Sequence, residues 1–227
     1  MIRLLFTVEG QTEETFVRDV LAPALSRRLV FASARCVATG RRGRKVFRGG
    51  SPGYPKLRED VLRWMKEDRR PEAWFTTMVD LFALATDFPG YDEARRMQGV
   101  LARVEHLEEC WKRDMNHPRF IPHIQPHEFE ALLFADPTKL VQAFPGEQEA
   151  ISKLAAVASQ FSSPEEIDDG ADTAPSKRIA AVLPAYQQRK ASVGPLVAQA
   201  IGLERMRREC THFGRWINRL ESLGLQA

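Results

Sequence analysis

Residues 2–10 read IRLLFTVEG, a short run apolar on both faces that stops at Glu9-Gly10. A strand buried on both faces must be covered on both sides, which is the setting of a parallel sheet between layers of helix. The stretch TEETFVRDVLAPALSRRL follows with Phe16, Val20, Leu21, Leu25 and Leu29 at helical spacing. Thr12 is placed to cap that helix, and Glu13 and Glu14 suit its first turn. VFASARCVAT reads as a second strand and GRRGRKVFRGGSPG as a glycine- and arginine-rich loop. YPKLREDVLRWMKED reads as a helix with Leu57, Val61, Leu62 and Met65 inward, and AWFTTMVDLFAL as a third strand ending at an acid, Asp80. A turn at TDFPGYDEA leads into one long amphipathic helix, EARRMQGVLARVEHLEECWKRDM. RFIPHIQPHEFEALLF then gives a strand to about Gln125, a turn and a short helix.

Strands alternating with helices predict an α/β fold, a central and mostly parallel sheet flanked by helices. Residues 1–135 are expected to form that core. Residues 136–227 read as helix and loop, with SSPEEIDDGADTAPSKR as a polar break. They form either a helical annex or helices wrapped back on the sheet, one compact unit overall.

With 44% of 227 residues hydrophobic, the chain can bury one sizeable core. No apolar run reaches the length of about eighteen residues that a membrane span needs. The opening MIRLLFTVEG has a single arginine and no small-residue cleavage site, so no secretory leader is expected. Cys36, Cys110 and Cys210 are scattered and contain no CxxC pair, which argues against a disulfide framework or a thiolate zinc site. Buried thiols in a reducing cytoplasm are the expectation. Net charge is +3, but its distribution is uneven. Every charged residue from 20 to 58 is Lys or Arg, whereas residues 127–175 carry ten Asp or Glu and two Lys. Such asymmetry suits a polyanionic partner near the basic part, and equally a solvated face beside an acidic loop.

In an open α/β sheet, ligands bind at the carboxyl ends of the strands. Three expected strands end at or near acids: Glu9, Asp80 and, past a turn, Glu128. Carboxylates gathered there repel one another unless a cation or proton is shared. A hard divalent cation such as Mg²⁺ or Mn²⁺ takes oxygen ligands of this kind, and it can polarise a phosphodiester and activate water. Glu9, Asp80 and Glu128, with Glu13 or Glu130 close by, are therefore the candidate metal ligands. Each acid also has a structural role open to it. Glu9 and Asp80 could cap or turn the chain, and Glu13 could complement its helix dipole. His127 could be a ligand or a phosphate contact, although a lone histidine is more often a structural hydrogen-bonder.

The segments EGQTEETFV, GGSPGYPKL, VDLFALATDFPG, QPHEFEALLF, APSKRI and C-x-x-F-x-x-W-I-x-x-L occur in that order over nearly the whole chain. Together they resemble a bacterial Toprim-like family of unknown function, domain-of-unknown-function group 4276. Its fold is related to the Toprim domains of topoisomerases, primases and OLD-type nucleases. By that resemblance Glu9 matches the Toprim glutamate and Asp80 the first acid of an Asp-x-Asp pair. Phe82 stands where the second would be. Asp87 could replace it if its loop folds back, and Glu128 and Glu130 could compensate. The resemblance implies a metal-dependent nuclease, with links to phage-defence and mobile-element systems that act with an ATPase partner. No ATPase motif is present in this sequence.

GRRGRKVFRGG sets Arg41, Arg42, Arg44, Lys45 and Arg48 among glycines, a charge and bare-backbone combination that suits phosphate. Ser176, Lys177 and Arg178 open an expected helix in APSKRIAAVLPAY and form a second candidate anion site, to which the resemblance adds weight. Gly10 would let the backbone turn at the end of the first strand, close to a bound phosphate. Lys190 could reach the same cleft and stabilise developing charge. Phe213 and Trp216 lie on one helical stripe with Ile217 and Leu220 and read as core. The functional expectations are therefore a Mg²⁺-dependent nuclease, a binding module for nucleic acid or a partner with a decayed site, and a small-molecule phosphohydrolase.

Overall fold

The computed structural model describes residues 1–42, 45–48, 53–167 and 173–226, and side chains within these ranges other than those of 38–48 and 226. Its centre is a parallel sheet. Strand β1 (Ile2–Val8) lies between β2 (Val30–Cys36) and β5 (Ala73–Asp80), and β6 (Phe120–Ile121) pairs with the far side of β5. Strand β7 (Ile124–Gln125) continues that edge, opposite Val79 and Asp80. Pro122 has no amide hydrogen to give the ladder, so the line breaks between β6 and β7. The Thr77 hydroxyl fills the break: it accepts from the His123 amide at 2.9 Å and donates to the His123 carbonyl at 3.0 Å.

Alternation along the strands sends side chains to two cores. Ile2, Leu4, Phe6 and Val8 of β1 face one layer, and Leu5, with Phe75 and Val79 of β5, faces the other. The second layer is α3 (Tyr54–Glu67), α4 (Tyr91–Arg96) and α5 (Val100–Met115). The first holds α1 (Gln11–Phe16), a π-helical turn (Val17–Leu21) and α2 (Ala22–Ser26). It also holds α6 (Gln148–Ala158), α7 (Pro175–Val182), α8 (Lys190–Ile201), α9 (Leu203–Glu209) and α10 (Thr211–Ser222). The C-terminal helices thus wrap back onto the sheet, where Trp216 meets Phe6 edge-on at 5.8 Å. Trp216, Phe213, Ile217 and Leu220 are core, as their spacing indicates.

Several local expectations are corrected. The basic loop is an antiparallel hairpin of β3 (Ala38–Arg42) and β4 (Lys45–Arg48), with its register shifting at Ala38/Gly40. Val46 and Phe47 favour paired extended backbone, and the glycine accommodates a bulge. The long helix expected to start at residue 93 is two helices, because Gly99 takes φ +82 between α4 and α5. Leu29 is exposed rather than inward, since it closes α2 in the left-handed region at φ +59. Thr12 does not cap α1. Gly10 is the cap residue, and the Glu13 carboxylate accepts its amide hydrogen at 2.9 Å.

Candidate active site

Parallel strands β1 and β5 are neighbours, yet the chain runs out from β1 to β2 before returning to β5. Their carboxyl ends therefore mark a switch point in the sheet. Glu9 follows β1 and Asp80 ends β5. The Asp80 amide donates to Glu9 Oε2 at 3.2 Å, so the main chain of one strand fixes the acid of the next. Gly10 has φ −150, a conformation open to any residue, so it is not there to make a turn. A Cβ at Gly10 would lie 3.4 Å from Glu13 Oε2, at the edge of ordinary contact, so close packing does not demand glycine there either.

Beyond β7 the chain turns at His127, which sits in the left-handed region at φ +62. A non-glycine residue there costs about 1–3 kcal/mol and is retained only where its surroundings hold it. The His127 carbonyl accepts from the Phe82 amide at 3.1 Å, and its Nε2 lies 2.9 Å from the Glu165 carbonyl. The turn delivers Glu128 and then a 3₁₀ segment (Phe129–Ala135) that buries Glu130. Glu128 accepts from the Ser176 amide at the start of α7. Glu130 Oε1 accepts from the Tyr186 hydroxyl at 3.1 Å and lies 3.4 Å from Lys190 Nζ. Lys190 is carried in by α8, which crosses α1 closely at Gly194. A Cβ there would meet Phe129 at 3.0 Å and Thr12 at 3.2 Å.

Five carboxyl groups thus share one end of the sheet, and four of them are shifted by burial and by their neighbours. Burial pushes the Asp80 carboxyl well above its ordinary range, and Glu9, Glu13, Glu130 and Glu128 add to the effect. Burial likewise raises Glu9 against the pull of the Asp80 amide, with Glu130 and Glu128 reinforcing it. Glu13 is pushed up to about 7, chiefly by burial and then by Glu9 and Glu130, although its own and Gly10's amide hydrogens oppose the rise. Glu130 rises through burial and Glu128, with Lys190 and Tyr186 pulling back. Among the described residues, Asp80 Oδ1 is buried with no hydrogen bond. A buried carboxylate oxygen without a donor is the position a cation would satisfy. Glu9, Asp80 and Glu128 are only partly covered and can offer oxygens to an ion, while Glu13 and Glu130 form the buried floor. Among the described residues, no three of these acids bring ligand atoms within 4.8 Å of one another. As placed, these acids could give an ion such as Mg²⁺ at most two carboxylates, with its other positions left to water.

Other candidates lie elsewhere. Arg178 turns away: its Nε donates to the Thr173 carbonyl at 2.6 Å and its guanidinium lies 5.9 Å from the Phe161 ring. Lys177 is exposed on α7, and only the Ser176 amide reaches the acids. Asp87 does not replace the second aspartate; it caps α3 by accepting the Tyr54 amide at 3.0 Å. Phe82 is 42% exposed at the rim, with its ring 5.7 Å from that of His127. Arg44 lies outside the described residues, as do the side chains of Arg41, Arg42, Lys45 and Arg48. Tyr186 escapes a sequence reading because a tyrosine in VLPAY looks like core; its four-residue spacing to Lys190 was the only signal. Glu108, His123 and His212, which also converge, are dispersed along the chain and carry no motif.

A sequence profile described as "Domain of unknown function (DUF4276)" matches residues 8–221. No curated protein and no solved structure matches the chain.

Proposed function

Since the chain belongs to the DUF4276 family, we propose its function from the site itself: hydrolysis of a nucleic-acid phosphodiester with Mg²⁺ or Mn²⁺, on a Toprim-like core. The observation that carries this reading is the orphaned, buried Asp80 Oδ1 within a group of carboxyls that burial and mutual repulsion hold above their ordinary range. One or two of Glu9, Asp80 and Glu128 would hold the cation, with water in its remaining positions and the other acids of the group supplying further negative charge. The bound cation would polarise the phosphodiester and lower the pKa of a bound water. The chain's own residues prepare the rest. The Asp80 amide orients Glu9, Tyr186 and Lys190 hold Glu130, and Lys190 Nζ is the cation available to a phosphate oxygen at the rim. The basic sequence of the β3–β4 hairpin, Arg41 to Arg48, would bind the backbone of the polyanion, its affinity falling with salt. The sequence carries no nucleotide-triphosphatase motif, so an ATP-driven step, as in phage-defence or mobile-element systems, would fall to a partner protein.

A binding module without turnover is the second reading. It is favoured by Phe82 in place of a second acid and by the spread of the carboxylates. End-labelled single- and double-stranded DNA and RNA, incubated with Mg²⁺ or Mn²⁺, separate the two. Cleavage by the wild type, reduced at least about 100-fold in Glu9→Gln and Asp80→Asn, supports the nuclease. Salt-sensitive retention of the same oligonucleotides, with intact strands under both metals, supports the module.

A further inference from the structure

Glu108 of α5, His123 between β6 and β7, and His212 of α10 meet on the flank of the sheet, each with a potential ligand atom within 4.8 Å of the others. Glu108 Oε1 lies 2.9 Å from His212 Nε2 and 3.6 Å from His123 Nδ1, and also accepts the Ile124 amide hydrogen at 2.8 Å. The two imidazoles stack at 5.0 Å. None of these residues belongs to the carboxylate cluster, so the inference does not rest on the function proposed above.

His123 is fully buried, yet among the described residues neither of its ring nitrogens has a partner at good hydrogen-bond geometry, with the Gln125 side chain beside the ring. Leaving a buried polar group unsatisfied costs roughly 1–3 kcal/mol, and here the protein fixes the ring firmly in that position. Both backbone polar groups of His123 are tied to Thr77. The ring stacks on Trp216 at 4.0 Å and 7°, and the Trp216 indole donates to Thr76 Oγ1 at 3.0 Å. His212 is set just as firmly. The Glu165 carboxylate accepts the amide hydrogens of His212 and Phe213, at 2.8 and 2.9 Å, at the start of α10. Gln125, whose side-chain oxygen is also buried without a hydrogen bond, neighbours the His123 ring. Nδ1 is the ring nitrogen 3.6 Å from Glu108 Oε1, and a side-chain oxygen accepting the proton of the other nitrogen would be the usual outer support of a metal-bound imidazole.

Two imidazoles and a carboxylate form a borderline-soft donor set that suits zinc-class ions better than Mg²⁺. Bonds of about 2.0–2.2 Å at tetrahedral angles place ligand atoms about 3.3–3.5 Å apart. The distances of 2.9 and 3.6 Å bracket that spacing. The group sits in the wall of an open cleft of about 280 Å³, also lined by Glu105, Lys112, Arg215 and Arg219. A fourth coordination position would therefore face solvent. We propose that Glu108, His123 and His212 bind one divalent transition-metal ion of the zinc class, with its remaining position open to this cleft.

The test uses the full chain, stripped with chelator and titrated with Zn²⁺ by calorimetry and with Co²⁺ by visible absorption. The wild type is expected to take one equivalent of Zn²⁺ and to give Co²⁺ the intense visible bands of a low-coordinate nitrogen and oxygen site. Glu108→Gln and His212→Gln should each weaken binding by about 100-fold or more, while Glu9→Gln and His106→Gln keep the equivalent. His106 is the control because its Nε2 lies 3.6 Å from Cys110 Sγ, a second pair able to hold zinc. Since His123 is deep in the core, the two more accessible ligands and the wild-type Co²⁺ spectrum carry the decision. A folded wild type that binds no Zn²⁺ would overturn the proposal and leave Glu108–His212 as an ion pair. So would binding that survives both ligand substitutions or moves with Glu9 or His106.

Discussion

At the scale of single residues, the carboxylate cluster makes stability depend on pH in a direction opposite to most acidic side chains. Glu13 titrates at about 7 in the folded chain against 4.5 for an unperturbed glutamate. The native state therefore keeps a proton that the unfolded chain releases, and stability falls as pH rises through that interval. Without divalent cations, the melting temperature should drop between about pH 5 and pH 8. Glu13→Gln should flatten part of that slope, by up to roughly 3 kcal/mol at the alkaline end. Urea titrations of both proteins across the range measure it, and equal slopes would refute the assignment. Mg²⁺ should restore the wild type at high pH if the cation binds where proposed. Tyr186→Phe removes one hydrogen bond to Glu130 and should cost about 1 kcal/mol. Sequence pointed to Glu9, Asp80, Glu128 and Glu130 as neighbours, and the structure brings them to one end of the sheet, because acids after apolar strands have few other places to go in this fold class. Tyr186 stayed hidden because its hydroxyl acquires a partner only when residues 56 positions apart are brought together.

At the scale of elements, close approach rather than propensity decides what each helix does. Gly214 lets α10 lie against α9: a Cβ there would sit 2.4 Å from the Arg207 carbonyl oxygen. Gly214→Ala should destabilise the protein by more than about 2 kcal/mol, although alanine is the better helix former, and chemical denaturation measures the loss. A neutral or stabilising result would show that the two helices can separate. Glu165→Gln weakens the cap on α10 and should cost about 1–2 kcal/mol. It should also lower zinc affinity if His212 is a ligand. Strand and helix order was legible because periodicity is local. The division of α4 from α5 and the hairpin of β3 and β4 were not, since a glycine at φ +82 and a two-stranded pairing leave weak traces in a string of residues.

At the scale of the whole molecule, the N-terminal strands and C-terminal helices share one hydrophobic core. Phe6, Phe16, Phe129, Phe213 and Trp216 belong to a single buried cluster. Trp216→Ala should lose about 3–5 kcal/mol from this core, read as a lower denaturation midpoint. A chain truncated after residue 135 should fail to fold, because it would uncover the face of β1 that carries Ile2, Leu4, Phe6 and Val8. A cooperative melt of that fragment would instead make residues 1–135 an independent domain. None of the described helices is long and apolar enough to cross a membrane.

Local residue pattern is enough to give the alternation of strand and helix, the parallel sheet and the acids at its carboxyl edge. Each follows from local spacing and from where apolar runs must stop. Only packing shows that the described helices after residue 136 lie on the sheet, that Arg178 and Asp87 bond to the fold rather than to the acids, and that Lys190 and Tyr186 face Glu130. It also placed two histidines and a glutamate from distant segments within coordinating distance. Those meetings depend on how helices pack across a sheet, and packing is a property of shapes brought together from far apart in the chain, which no local pattern of residues encodes.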